Sequence, residues 1–371
     1  MSFLRLATFA VILTVIYFTE GLTLYLFRPL IHFIAIFVIS WLLTSFCYRR
    51  LVLPTFGRSI QPTSDLAVLI TGCDTGLGLA TAERLNQRGF FIFACCLSLE
   101  SVGAVSLSVM ENVHVIKCDV TSDDDIARVK TEVTSILGYS TKCLHGIVNN
   151  AGVSILGMIE WTNNINLLIQ TMNVNLFGTV RVTKAFLPLI RSSKGRIVNM
   201  SSVACRDVAL ACTDYSLSKA GVTKFSECLD MEVSSFGVKV ITIEPFFFKS
   251  IMTDSAASIK NLTKLFEECD DQIKEAYSDL FDKVMEQARL SERFHTSSPE
   301  KATKAIDEAL TSSDPNSFYR PGYPVMMETL SLYLPYDVLL PMRRMIPFIF
   351  GLTHRYSNRD KTDEPVLEEE L

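Results

Sequence analysis

What the chain lacks narrows its chemistry before any motif is read. Its 371 residues include only five histidines, and neither these nor the ten cysteines fall at metal-ligand spacing, so no metal site is expected. The cysteines also lack the paired spacing of a disulfide framework. Cys95-Cys96 are adjacent on a predicted buried strand, which reads as free thiols of a reducing compartment or simply as core. An excess of positive charge is missing too. The formal net charge is −5 with no readable basic face, which argues against nucleic acid as a partner. There is no internal repeat and no low-complexity tract. The acidic end Glu368-Glu369-Glu370-Leu371 reads as a solvated terminus, not as a retention signal of the Lys-Asp-Glu-Leu kind.

Apolar residues, by contrast, are abundant: 49% of the chain is hydrophobic, with a mean hydropathy of +0.28 that is high for a soluble protein. The excess sits at the front. Residues 6–27 are apolar apart from Glu20, and residues 29–48 carry no formal charge except one on His32 if it is protonated. Each run is near the roughly 20 residues that cross a bilayer as a helix. A membrane anchor of one or two hydrophobic helices is therefore expected over residues 1–58, with a cleaved signal peptide as the competing account. Arg5, Arg28, Arg49, Arg50 and Arg58 flank the runs, so a hairpin would leave both ends facing the cytosol, whereas a single span could invert that.

From residue 62 to 325 the pattern alternates between short aliphatic runs and helical periodicity, the mark of an α/β doubly wound parallel sheet of Rossmann-like kind. Strands are predicted near 66–71, 90–95, 113–117, 144–149, 195–200, 238–243 and 316–320. A charged, helix-prone stretch at 250–298 breaks the alternation. Ligands of such sheets bind beyond the carboxyl ends of the strands, so this insertion is expected to fold over the site as a lid. Residues 326–371 form an apolar extension and the acidic tail.

Two patterns carry chemistry. In Leu66-Ala67-Val68-Leu69-Ile70-Thr71-Gly72-Cys73-Asp74-Thr75-Gly76-Leu77-Gly78 an aliphatic run enters a glycine-rich turn and then a helix. That context suits a dinucleotide, because glycine lets the backbone approach a pyrophosphate lying on a helix N-terminus. The second pattern is Tyr215 and Lys219, four apart on a predicted helix and hence on one face, with Ser202 upstream at the end of a strand. A cation beside a phenol is expected to lower its pKa from about 10 toward working pH, as a general acid/base requires. Ser202 would donate a hydrogen bond to the oxygen that gains charge when a carbonyl accepts hydride. The three residues together describe alcohol/carbonyl interconversion.

These motifs, in this order, resemble the short-chain dehydrogenase/reductase family over roughly residues 66 to 325. The resemblance implies that Gly72, Thr75, Gly76, Leu77 and Gly78 form the cofactor turn, and that Asn149, Ala151 and Gly152 of Asn149-Asn150-Ala151-Gly152 line the cofactor cleft. It further implies that Asp119 and Val120 meet the adenine and that Pro245 lies by the nicotinamide. Ser202, Tyr215, Lys219 and Asn175 match the catalytic positions, with Lys219 also bonding the nicotinamide ribose and Asn175 helping to hold a water. The phrases Gly89 through Leu97, Lys194 through Ser202 and Pro315 through Gly322 are similar to a membrane-bound branch. That branch includes retinol dehydrogenases, 17-beta-hydroxysteroid dehydrogenase type two, 11-beta-hydroxysteroid dehydrogenase type two and mitochondrial 3-hydroxybutyrate dehydrogenase.

The second strand ends Cys96-Leu97-Ser98, with neither the carboxylate that would bind NAD ribose hydroxyls nor the cation that would pair with the NADP phosphate. The missing cation and the branch together favour NAD over NADP. One departure from the family is Phe246, where a glycine normally follows Pro245 and where added bulk would restrict the backbone beside the cofactor. The expected substrate is a small lipophilic alcohol or ketone, a steroid or retinoid, handled by an enzyme in contact with membrane lipid in the endoplasmic reticulum, or alternatively in a mitochondrial membrane. A hydroxy acid is the alternative substrate, with Arg206 or Lys249 as the cation for its carboxylate. A cofactor-binding scaffold without turnover is the reading from another class. The resemblance also implies a homodimer through the helix carrying Tyr215.

Overall fold

Uncharged aliphatic runs leave the strands little choice but to be covered on both faces. Leu66–Thr71 (β1) and Phe91–Cys96 (β2) are buried over all but their first residue. Val113–Lys117 (β3), Cys143–Asn149 (β4), Arg196–Met200 (β5), Lys239–Ile243 (β6) and Phe318–Tyr319 (β7) join them. The result is one seven-stranded sheet of order β3-β2-β1-β4-β5-β6-β7, parallel at every pairing. The computed structural model describes residues 32–33, 36–37, 39–41, 44, 60–162, 165–206, 210–246, 255–294 and 299–322. The chain divides into two units, Met1–Ser59 and Ile60–Leu371, and the sheet belongs to the second.

Parallel strands need crossovers, and helices supply them on both faces. Gly76–Arg88 (α1), Val102–Ser108 (α2) and Glu300–Thr311 (α9) cover one face over Val68, Ile70, Leu85, Phe90, Ile92 and Leu310. Asp123–Gly138 (α3), Thr179–Ser193 (α5) and Thr213–Val233 (α6) cover the other over Phe93, Ile147, Phe186 and Ile190. Local signals set the helix ends. Ser122 accepts from the Asp125 N–H at the start of α3, whose first turn holds Asp123, Asp124 and Asp125 against the positive end of the dipole. Gly89, at φ 107°, lets α1 stop in a conformation that costs other residues more. Between β4 and α5 lie Asn166–Met172 (α4) and a π-helical turn, Asn173–Gly178.

The stretch predicted as a lid forms two helices, Ser255–Glu267 (α7) and Asp271–Phe294 (α8). Together they enclose Trp161 in a separate apolar cluster with Phe266 and Phe281, whose rings stack at 4.3 Å. Gly157 donates to the Ala211 carbonyl at 2.9 Å, so this cluster is rooted between the loop after β4 and the start of α6. The strand predicted at 316–320 shrinks to two residues, paired as Thr242↔Phe318 and Ile243↔Tyr319. Pro315 and Pro321 bracket it and lack the N–H that a longer ladder would use. The anchor expected over residues 1–58 and the extension 326–371 lie outside the described residues, except for a few helical positions between 32 and 44. Among the described residues no helix is long and apolar enough to cross a membrane.

One ion-pair cluster ties the ends of the fold together. Asp307 of α9, 6% exposed, receives Arg84 at 3.1 Å and Arg88 at 3.2 Å from α1. Asp307→Ala leaves two arginines without their carboxylate and is expected to lower stability by about 2 kcal/mol. The urea midpoint should fall at an unchanged slope, and Asp307→Asn should recover part of the loss.

Candidate active site

The sheet reverses its winding between β1 and β4, and the loops leaving these two strands meet. Thr71 Oγ1 accepts from the N–H groups of Asn150 and Ala151, both at 3.0 Å, while Asn150 Nδ2 donates to the carbonyls of Thr71 at 2.9 Å and Gly72 at 3.2 Å. The approach is so close that a Cβ on Gly72 would stand 2.8 Å from Ala151 Cα, and one on Gly78 only 2.1 Å from the Gly72 oxygen. Gly72 and Gly76 also take φ of 71° and 61°. Thr75 is extended and opens α1 with no side-chain cap, so the first N–H groups of that helix, at Gly76, Leu77 and Gly78, have no partner within the helix. This is a cradle for an anion, and its shape fits the pyrophosphate of a dinucleotide.

The loop after β4 continues toward Asn175 and Lys219. A Cβ on Gly152 would lie 3.2 Å from Asn175 Oδ1 and 3.6 Å from Lys219 Nζ. Asn175, 1% exposed, accepts from the Val153 N–H at 2.8 Å and donates to the Val153 carbonyl and to Ser218 Oγ, both at 2.9 Å. It sits in the π-helical turn, whose extra residue re-aims the side chain inward. Ser202, at the exit of β5, accepts from the Ala204 N–H at 3.2 Å. The Val203 N–H next to it donates to the Pro245 carbonyl at 3.3 Å, tying the exits of β5 and β6 together.

Tyr215 and Lys219 share one face of α6, with Lys219 Nζ 5.6 Å from the phenol ring centre. The electrostatics differ from the expectation. Desolvation pushes the Tyr215 phenol up to about 12, offset in part by a hydrogen bond with Ser202. Lys219 donates instead to the Met200 carbonyl at 2.8 Å, and desolvation brings its ammonium down to about 8.

The remaining expected cofactor residues are placed as follows. The Asn149 side chain turns into the sheet and donates to Thr183 Oγ1 at 2.9 Å and Asn199 Oδ1 at 2.8 Å, while Asn150 ties the loops after β1 and β4 together. Asp119 closes a turn by accepting from Thr121 N–H and Oγ1 at 2.8 and 2.7 Å. Val120 is buried where Gly178 of the π-helical turn needs a bare Cα. Phe246 is not strained. Among the described non-glycine residues only Asn112, Lys194 and Ala211 have positive φ, and the Phe246 N–H donates to the Pro321 carbonyl at 3.1 Å. Sequence reading also missed Glu244, fully buried, which accepts from Arg206 Nε at 3.2 Å and Arg320 Nε at 2.7 Å. No local pattern marks it, since both arginines come from other segments.

The pattern of the short chain dehydrogenase family matches residues 66–261. The chain is 37% identical to mitochondrial D-beta-hydroxybutyrate dehydrogenase of Bos taurus over 279 residues, covering 72% of this chain and 80% of that one. It is 36% identical to 17-beta-hydroxysteroid dehydrogenase type 6 of Rattus norvegicus, covering 76% and 90%. Retinol dehydrogenase 7 of Rattus norvegicus is 34% identical, with 76% and 87% covered. A short-chain dehydrogenase from Streptomyces avermitilis, at 23% identity, shares the fold with a TM-score of 0.59 over 78% of this chain and all of that one. The chain belongs to the short-chain dehydrogenase family and is an NAD(P)-dependent oxidoreductase acting on CH-OH groups.

The Lys219 shift has a measurable sign. Below about 8 both folded and unfolded chains carry the ammonium, and the folded state bears its desolvation. Between about 8 and 10.5 the folded chain has released the proton and the unfolded chain has not, so stability rises with pH through that window. Urea midpoints at about pH 7.5 and about pH 9.5 should show this rise in the wild type and a smaller one in Lys219→Met.

Proposed function

We propose that this short-chain dehydrogenase is a membrane-bound enzyme that interconverts a lipophilic alcohol, a steroid or retinoid, and its carbonyl with NAD in preference to NADP. The observation that carries the reaction is the convergence of Ser202, Tyr215, Lys219 and Asn175 beside the glycine cradle, joined through the 151–153 loop. A nicotinamide cofactor, when bound there, supplies the hydride acceptor or donor. Gly72, Thr75, Gly76, Leu77, Gly78, Ala151 and Gly152 would hold it, with Pro245 at its nicotinamide end. Tyr215 exchanges the proton with the substrate hydroxyl, and Ser202 donates to the same oxygen as charge develops on it. Lys219, held by Met200, keeps a positive charge near the phenol.

The class of substrate is inferred from relatives, which are named for hydroxysteroids and retinol. Phe33, Ile36, Phe37, Ile39 and Trp41 are helical residues with 55 to 67% of their surface exposed, which supports an anchor in lipid. The endoplasmic reticulum is the proposed location, with a mitochondrial membrane as the alternative that one relative's name supports. Exposed Ile165, Ile169, Phe177 and Leu217, gathered on α4, the π-helical turn and α6, support a homodimer on that face. For a hydroxy acid, the Arg206 guanidinium is already engaged by buried Glu244; Lys249, the other cation considered, lies outside the described residues.

The test is NADH formation by detergent-solubilised protein with retinol, several hydroxysteroids and 3-hydroxybutyrate, beside Tyr215→Phe. One lipophilic alcohol is expected to turn over, and the variant should lose at least about a hundredfold in rate while binding NAD as before. Turnover of 3-hydroxybutyrate alone would overturn the substrate class, and undiminished activity in Tyr215→Phe would overturn the mechanism.

A further inference from the structure

In doubly wound sheets the second strand ends where the adenosine ribose lies, and a carboxylate or a cation there selects the dinucleotide. In this chain Cys96, Leu97 and Ser98 supply neither. The fold brings a carboxylate to the same place from a different element. Asp74, inside the glycine turn after β1, accepts from the Leu97 N–H at 2.9 Å and from the Ser98 N–H at 3.0 Å, one bond to each oxygen. Its carbonyl accepts from the Gly103 N–H of α2 at 2.9 Å. A Cβ on Gly103 would stand 2.5 Å from that carbonyl oxygen, so the turn is seated firmly against α2. The charge is felt nearby: burial first, and Asp74 second, push the Cys96 thiol up to about 12. No cation of the same loop offsets it. Glu100 follows in the loop, and Lys117, opposite Cys96 in the ladder, is felt at Asp125 of α3.

We propose that Asp74 is the specificity-determining residue that makes this enzyme prefer NAD to NADP, an inference that rests on the NAD reading above and deepens it. Two effects act in the same direction. The N–H groups of Leu97 and Ser98 would otherwise be donors for a 2′-phosphate, and the Asp74 carboxylate already occupies them. A phosphate carrying close to two negative charges would in addition sit beside a fixed negative charge. A ribose hydroxyl meets the opposite situation, because a carboxylate has about four lone-pair sites and the two backbone bonds leave acceptor capacity for it.

The experiment reads binding, not turnover. The full chain in detergent is titrated calorimetrically with NAD and with NADP, as wild type, Asp74→Asn and Asp74→Ser, with thermal unfolding confirming that the variants are folded. Both substitutions keep an oxygen that can accept from the loop while removing the charge. The wild type is expected to bind NAD at least tenfold more tightly than NADP, and the variants to lose most of that ratio, chiefly by tighter NADP binding. A folded variant that keeps the wild-type ratio overturns the role of Asp74 and leaves the NAD reading standing. A wild type that binds NADP as tightly as NAD removes the NAD reading, and the inference with it.

Discussion

Everything at the reacting end of this fold hangs from the contact between the loops that leave β1 and β4. The two strands are hydrogen-bonded neighbours, yet the residues that touch, Thr71 and Asn150, are 79 positions apart. The strand order reverses there, which opens a crevice at the carboxyl edge of the sheet. Gly72 has no room for a side chain against Ala151, and Gly78 has none against Gly72. From this seam α1 directs its N-terminus into the crevice, and the 151–153 loop runs on to Asn175 and Lys219. A bulkier residue at the seam would displace both the glycine turn and the loop that leads to Asn175 and Lys219.

The second feature is how much polar chemistry the fold keeps dry. Asn149 reaches Thr183 and Asn199, and Asn199 reaches Ser226, so a chain of buried hydrogen bonds crosses the sheet just below the site. Such networks are costly when incomplete and rigid when satisfied. Lys219 pays part of that cost, since it is desolvated and retains one carbonyl partner at Met200. Burial likewise favours the neutral form of the Tyr215 phenol, whose pKa it raises.

Most of this architecture was legible in the chain because its signals are local. The run Leu66–Thr71 into Gly72 reads as strand and turn from composition alone, and five further strands fall within one residue of where periodicity puts them. β7 was overestimated, because flanking prolines limit a ladder that hydrophobicity by itself would extend. The shared helix face of Tyr215 and Lys219 was legible from their interval, and the place of Ser202 from its strand exit. The inward turn of Asn149 was not, since which of two adjacent asparagines faces the cleft depends on strand pleating. Neither was the sign of the Tyr215 shift. Sequence shows that a lysine is near, but burial, the largest cause of the shift, is a property of the folded chain. Glu244 escaped for the same reason, as its partners Arg206 and Arg320 come from separate segments.

The central claim is that the crevice between β1 and β4 supports direct hydride transfer from a carbinol carbon. It is tested most directly by giving the protein NAD and alcohols of the three relatives' classes, each deuterated at the carbinol carbon, and analysing the NADH by mass spectrometry. The account predicts one deuterium in the NADH formed from a lipophilic alcohol, with a slowed rate against the unlabelled substrate. NADH formed without deuterium, or NAD bound with no transfer from any of the alcohols, would contradict it.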